Sequence, residues 1–104
     1  MIDTLKKIFG IGPKVNYAEL ITRGAIILDV RTSSEYKTGH IEDSVNIPLQ
    51  ILLSNLAKLE KNKPIITCCA SGIRSISAKN ILKSKGFREV YNGGGWMSLQ
   101  NKIK

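Results

Sequence analysis

Apolar positions follow two alternating rhythms along this chain: short unbroken clusters, and longer stripes at spacings of three and four. Ala25-Ile26-Ile27-Leu28-Asp29-Val30 is a continuous apolar run broken by one charge, the pattern of a buried parallel strand. Pro64-Ile65-Ile66-Thr67-Cys68 repeats it, and shorter runs at Ser44–Ile47 and Glu89–Tyr91 read as two further strands. A short strand ending at Val15 would make five. Between these lie helical stretches. Asn16 and Thr32 each stand three positions before a Glu, Glu19 and Glu35, the reciprocal cap that opens a helix; the first helix runs to about Thr22 and the second through Lys37. Leu49, Leu52, Leu53, Leu56 and Leu59 form one stripe of an amphipathic helix over Leu49–Glu60. A further helix is predicted over Ser75–Lys85 with Ile76, Ala78, Ile81 and Leu82 inward, stopped by Gly86 with Phe87 as its clasp. Gly93-Gly94-Gly95 reads as a tight turn before a closing helix over Trp96–Ile103.

Strands alternating with helices imply a parallel sheet covered on both faces, because parallel strands need crossover connections. Ligands then bind at the strand C-terminal ends. Here that edge carries Asp29 to Arg31 and Cys69 to Ser75. A length of 104 residues with 42% hydrophobic positions suits one domain over residues 13–104, preceded by an arm over residues 1–12. No apolar run is long enough to span a bilayer, and the arm lacks the features of a signal peptide. A cytoplasmic protein is expected, or a periplasmic one if a signal peptide has been removed.

Sixteen Lys and Arg against eight Asp and Glu leave a formal charge of +8, which points to an anionic partner without saying which. Lys79, Lys83, Lys85 and Arg88 cluster on or just after one helix, but aromatics are only 6% of the chain and no nucleic-acid-binding motif accompanies them. A solvated helix face is the simpler reading, so neither nucleic acid nor membrane is expected as a partner. The two cysteines, Cys68 and Cys69, are adjacent, a poor geometry for a disulfide. With His40 as the only histidine, neither zinc nor any other metal or cofactor is expected.

Cys69-Ala70-Ser71-Gly72-Ile73-Arg74-Ser75 joins a strand end to a helix start, and its composition suits a tight loop whose backbone N–H groups point inward as an anion-binding nest. Such a setting favours a thiolate, so Cys69 is the candidate nucleophile. Cys68 alternates to the other face of its strand and takes a core role. Arg74 is a cation in the first turn of a helix, against the dipole, and needs an anionic partner. Asp29 and Glu35 are the candidate carboxylates, and bracing of the loop and direct substrate contact both remain open for Arg74.

Leu28-Asp29-Val30-Arg31-Thr32 with Glu35-Tyr36, then Gly39-His40-Ile41, Asn46-Ile47-Pro48-Leu49, the Cys69–Ser75 loop, and Asn92 before Gly94-Gly95 together resemble the rhodanese (thiosulfate sulfurtransferase) homology domain. The likeness runs from about Val15 to the C-terminus, and its brevity is similar to that of single-domain members of the phage-shock-protein E type. Five motifs stand in the family's order at the family's spacing. The resemblance implies an α/β three-layer fold with a central five-stranded parallel sheet flanked by helices on both faces. It further implies a thiosulfate sulfurtransferase acting through a persulfide on Cys69, the loop residues Ala70, Ser71, Gly72, Ile73, Arg74 and Ser75 forming the substrate-binding cradle and Asp29 and Arg31 supporting it.

Family sulfurtransferases are similar in having four residues between Cys and Arg, whereas related phosphatases and arsenate reductases have five. This chain has four: Ala70, Ser71, Gly72 and Ile73. The implied partners are a small anionic sulfur donor such as thiosulfate and an acceptor such as cyanide, a thiol, or a thioredoxin-like or sulfur-carrier protein, with the protein acting as a monomer. The alternative is a non-enzymatic module for protein interaction or sulfur relay. Asp29 is expected to position Arg31 or the loop, His40 to bond backbone at its turn, and Trp96 to cover apolar surface. Two departures leave the donor open: Cys68 stands where the family often has a large side chain, and Ile73 makes the loop rim apolar. The basic excess is expected to act as a field drawing anions to the loop.

Overall fold

Helices and strands alternate as the apolar rhythm predicts, in a computed structural model that describes residues 15–104. Asn16 opens helix α1 (Tyr17–Thr22), its side chain accepting from the Glu19 amide at 3.0 Å. Strand β1 (Ile26–Asp29), helix α2 (Ser33–Thr38) and strand β2 (Val45–Asn46) follow. A 3-10 segment (Leu49–Lys58) leads to β3 (Ile65–Cys69), α3 (Ile73–Ser84), β4 (Val90–Gly95) and α4 (Trp96–Ile103). The cap predicted for α2 is complete: Thr32 Oγ1 accepts from the Glu35 amide at 3.2 Å, and Glu35 Oε1 accepts from the Thr32 amide at 3.0 Å.

The strands pair in parallel in the order β2-β1-β3-β4. The chain leaves β1 to one side to build β2, then crosses back to lay β3 on the other side. Connections after β1 and β3 therefore diverge, which opens a crevice at their C-terminal ends. That crevice receives the Asp29 and Cys69 segments.

Strand β3 is buried along its whole length, so its alternating side chains feed two cores. On one face Ile65 and Cys69 pack with Leu28, Val30, Leu52, Leu82 and Val90. On the other, Ile66 and Cys68 pack with Leu20, Ile27, Ile41 and Leu99, and Trp96 covers this cluster as expected.

Several expectations require correction. Among the described residues the sheet has four strands rather than five. The fifth was expected to end at Val15, which lies in irregular chain, and the rest of it falls outside the described residues, as does the arm over residues 1–12. The Leu49–Glu60 stripe forms a 3-10 segment rather than an α-helix, interrupted at Asn55, whose side-chain amide bonds the Ile51 carbonyl at 2.7 Å and competes with the helical ladder. A three-residue turn aligns Leu49 and Leu52 toward the core and leaves Leu53 exposed. Helix α3 begins two residues earlier than expected, with Ser75, Ala78 and Leu82 buried, so Ile76 faces outward. Gly93 to Gly95 continue strand β4 instead of forming a turn, with a register shift against β3 between Thr67 and Cys69.

Candidate functional site

The loop after β3 turns back within three residues. Gly72 adopts a left-handed φ of 105°, a conformation that costs a side-chain-bearing residue, and its N–H points at the Cys69 Sγ at 2.9 Å. The loop rests on bare backbone: a Cβ on Gly72 would lie 3.4 Å from the Gly94 Cα, and one on Gly95 would lie 3.0 Å from the Ala70 carbonyl oxygen. The glycines that close β4 thus let the loop pack directly on that strand.

Ser75 fastens the first turn of α3. Its hydroxyl lies 2.9 Å from the Gly72 carbonyl and 2.5 Å from Asn92 Oδ1, while Thr67 Oγ1 donates to the Ser75 carbonyl at 2.9 Å. Asn92 Oδ1 also accepts from the Gly94 amide at 2.9 Å, so one side chain ties the loop to the end of β4.

Cys69 and Cys68 are both free and fully buried, yet their surroundings are opposite. Burial alone would push the Cys69 thiol up. The backbone N–H groups of Ser75, Gly72 and Ser71, together with the Ser75 hydroxyl, outweigh it and hold the group below the ordinary thiol value. The Ser75 hydroxyl has one proton, for which the oxygens of Gly72 and Asn92 at 2.9 and 2.5 Å also compete, whereas three backbone amides act on the sulfur. Cys68 has no such donors. Burial, with Asp29 directly opposite on β1 adding negative charge, pushes its thiol up to about 12.

Arg74 reaches across the crevice to α2, its two terminal nitrogens lying 2.7 and 2.9 Å from the Glu35 oxygens. The guanidinium, helped by the Thr32 cap, holds the Glu35 carboxyl down at about 2. This contact is the bracing one of the two roles open for Arg74, with Glu35 rather than Asp29 as its partner.

Asp29 holds Arg31 instead. The Arg31 side chain donates to both Asp29 oxygens at 2.7 to 3.0 Å, and to the carbonyls of Gly39 at 2.7 Å and Glu35 at 3.2 Å. Its guanidinium stacks 4.7 Å from the Trp96 ring centroid. Both residues are buried, and removing one charge of such a pair costs about 3–5 kcal/mol because the other is stranded. Asn46 Nδ2 bonds the Asp29 and Arg31 carbonyls at 3.0 Å each, fixing this bend. His40 stacks on Tyr36, and its Nδ1 lies 2.7 Å from the Tyr36 carbonyl, a backbone contact as expected.

The loop residues, Asp29 and Arg31 therefore converge on one sheet edge. Lys83 and Arg88 do not join them. Lys83 lies ten residues along α3 from Ile73, a rise of about 15 Å. Arg88 lines a cleft of about 500 Å³ with Lys61, Lys63 and Gly86, beside the N-terminal ends of β3 and β4 and thus at the edge opposite the loop. These charges do not form the field around the loop that the composition suggested. Sequence reasoning also gave Asn92 and Thr67 no part in the loop. For Asn92 a signal was present, because Asn before a glycine run is a common side-chain-to-backbone turn. Among the described residues no three His, Cys, Asp or Glu side chains gather as a metal site, and no helix is long and apolar enough to cross a membrane.

Fold and loop together define a parallel α/β protein that holds a cysteine in a backbone nest at the crevice of its sheet. The chain belongs to the rhodanese-like domain family, whose model matches residues 14–102. It is 34% identical over 77 residues to a thiosulfate sulfurtransferase GlpE of Pseudomonas savastanoi pv. phaseolicola, covering 74% of this chain and 73% of the relative. Protein YqhL of Bacillus subtilis is 36% identical over 83 residues, 79% of this chain and 66% of that protein. In structure it is similar to a rhodanese-related protein from Thermoplasma volcanium, with a TM-score of 0.71 and 33% identity over 86% of this chain and 91% of the other.

Proposed function

We propose that this protein is a sulfurtransferase that moves sulfane sulfur from thiosulfate or a similar donor to a thiophilic acceptor such as cyanide or a thiol, through a persulfide on Cys69. The observation that carries the reading is the Gly72 amide 2.9 Å from the Cys69 Sγ, within a nest that favours thiolate. The Cys69 thiolate attacks the outer sulfur of the donor. A bond forms between the two sulfurs, and the donor's own S–S bond breaks with its electron pair leaving on sulfite. The terminal sulfur then carries the negative charge, where the nest amides stabilise it without reorganising. An acceptor nucleophile takes that sulfur and returns the Cys69 thiolate.

No proton is removed from the nucleophile, so no general base is needed, and His40 with its backbone bond is left out of the chemistry. The four residues between Cys69 and Arg74 support a sulfurtransferase over the wider loops of related oxyanion enzymes. Ala70 to Ser75 form the cradle, while Asp29 at the end of β1 and Arg31 just beyond it support it. Residues 13–104 would act as one domain, as a monomer.

Incubation with thiosulfate followed by intact-mass measurement tests the proposal. A gain of one sulfur mapped to Cys69, discharged as thiocyanate on adding cyanide, is the expected result. Failure to load Cys69 would favour a passive interaction module.

A further inference from the structure

The cleft beside Arg88 lies at the sheet edge opposite Cys69, between the turn that leads into β3 and the turn that leads into β4. It is lined by Lys61, Asn62, Lys63, Gly86, Arg88 and Glu89, and its volume of about 500 Å³ is that of a small-ligand site. Two of its charges are already answered. Lys63 Nζ lies 2.8 Å from Glu60 Oε2, while Glu89 has one oxygen 3.2 Å from Arg23 and the other accepting from the Tyr91 hydroxyl at 2.9 Å. Lys61 and Arg88 pair with no carboxylate among the described residues. Lys61 is nonetheless held in place. Its Nζ lies 5.9 Å from the ring centroid of buried Phe87, and a Cβ on Gly86 would stand 3.6 Å from it. Gly86 adopts a φ of 91°, a conformation that itself keeps side chains out of this floor. Helix α3 ends beside the cleft, and the negative end of its dipole would favour a cation there. Its last carbonyls are occupied, however: those of Ile81, Leu82 and Lys83 accept from the amides of Lys85, Gly86 and Phe87. The unpaired side-chain cations therefore set the sign of the cleft.

We infer that this cleft is a second anion site, separate from the Cys69 nest, which takes a multivalent oxyanion of the phosphate or pyrophosphate class between Lys61 and Arg88. Two like charges that share one cleft without a counter-charge repel each other, and an anion bound between them removes that repulsion. A phosphoryl group suits the pair chemically, because its several acceptor oxygens match both the planar fork of Arg88 and the compact ammonium of Lys61. Arg88 belongs to the basic cluster that stands apart from the Cys69 loop, and the cleft gives that charge a target. The inference does not depend on the chemistry of Cys69.

Amide chemical shifts of the full chain, followed by NMR during titration with inorganic pyrophosphate and separately with ADP, test this. The two probes carry the same group free and on a nucleoside, and the one bound more tightly identifies its source. Both should move the amides of Lys61 to Lys63 and Gly86 to Glu89 along a saturable curve. Lys61→Gln and Arg88→Gln, at exposed positions that do not endanger folding, should each weaken binding by about tenfold, the scale of one charge-assisted hydrogen bond. Lys37→Gln removes the same charge from an exposed position outside the cleft and should change binding by no more than about twofold, because screening confines its reach. Shifts confined to Cys69–Ser75 would place the anion in the nest alone, and equal weakening by all three variants would mean a diffuse ion atmosphere. Either result overturns the inference. Loading of Cys69 with thiosulfate is read separately, so its failure would overturn the sulfurtransferase reading and leave this one standing.

Discussion

Cys68 and Cys69 are neighbours on one strand, equally buried, and differ only in which face of the sheet they occupy. Strand alternation sends Cys68 into the apolar cluster with Leu20, Ile27 and Leu99, opposite the negative charge of Asp29. It sends Cys69 to the face where the chain turns back over its own sulfur. Ionising Cys68 places a second anion in an apolar medium, and its thiol is pushed up to about 12. Ionising Cys69 places the charge among inward-pointing amides, and its thiol is held low. Burial by itself therefore says nothing about thiol reactivity; the dipoles that accompany burial decide it.

The comparison can be broken most directly by deleting each sulfur in turn. Cys69→Ser should abolish sulfur transfer, while Cys68→Ala should retain it within a few fold and lose only some stability, because a small apolar residue replaces a small apolar residue. Rhodanese assays on the two variants decide this, and equal losses would mean that the two thiols act together.

A gentler test is titration. The reactive form is the thiolate, so transfer should be complete above the Cys69 pKa and fall as pH drops through it, with an inflection below the ordinary thiol value of about 8.5. Thiolate ultraviolet absorbance should account for one thiol per chain up to the tyrosine range, about pH 10. Cys69→Ser should remove that signal. A second thiol titrating in the same range would erase the distinction drawn here.

The smallest expected effect concerns the brace. Glu35 has a folded value of about 2, below its ordinary value of 4.5, so its pairing stabilises the protein fully above the ordinary value. That contribution is lost as pH falls through about 2. Glu35→Gln should flatten this part of the acid unfolding curve, followed by circular dichroism, with little change at neutral pH, where exposed pairs contribute modestly.

Much of this arrangement was legible before the fold. Both helix-opening caps were readable because a cap depends only on residues three apart, and Asn16–Glu19 and Thr32–Glu35 make the predicted bonds. The buried strands were readable because Ile26–Asp29 and Ile65–Cys69 are buried from both sides and so are apolar without alternation. Misreadings arose where a local side chain or a distant strand overrode the pattern. Asn55 diverted a leucine stripe into a 3-10 segment, and the Ser75 contacts with Asn92 and Thr67 turned Ser75 inward and Ile76 outward. The three glycines continued β4 because β3 was there to pair with them.

By itself the sequence determined which residues could carry chemistry and which edge of the sheet they would share. A loop of the composition Cys69 to Ser75, between a strand and a helix, has few conformations, and strand alternation separates its cysteine from the one before. Only the tertiary structure decided where the charges go. Arg74 could have met Asp29, Glu35 or a ligand; the crevice between β1 and β3 brings Glu35 to it and leaves Asp29 to Arg31. The net charge of +8 suggests an anion-steering field, yet Arg88 gathers with Lys61 and Lys63 at the opposite edge. Composition counts charges, but a field acts through distance, and distance between residues remote in sequence is set only when the strands pair.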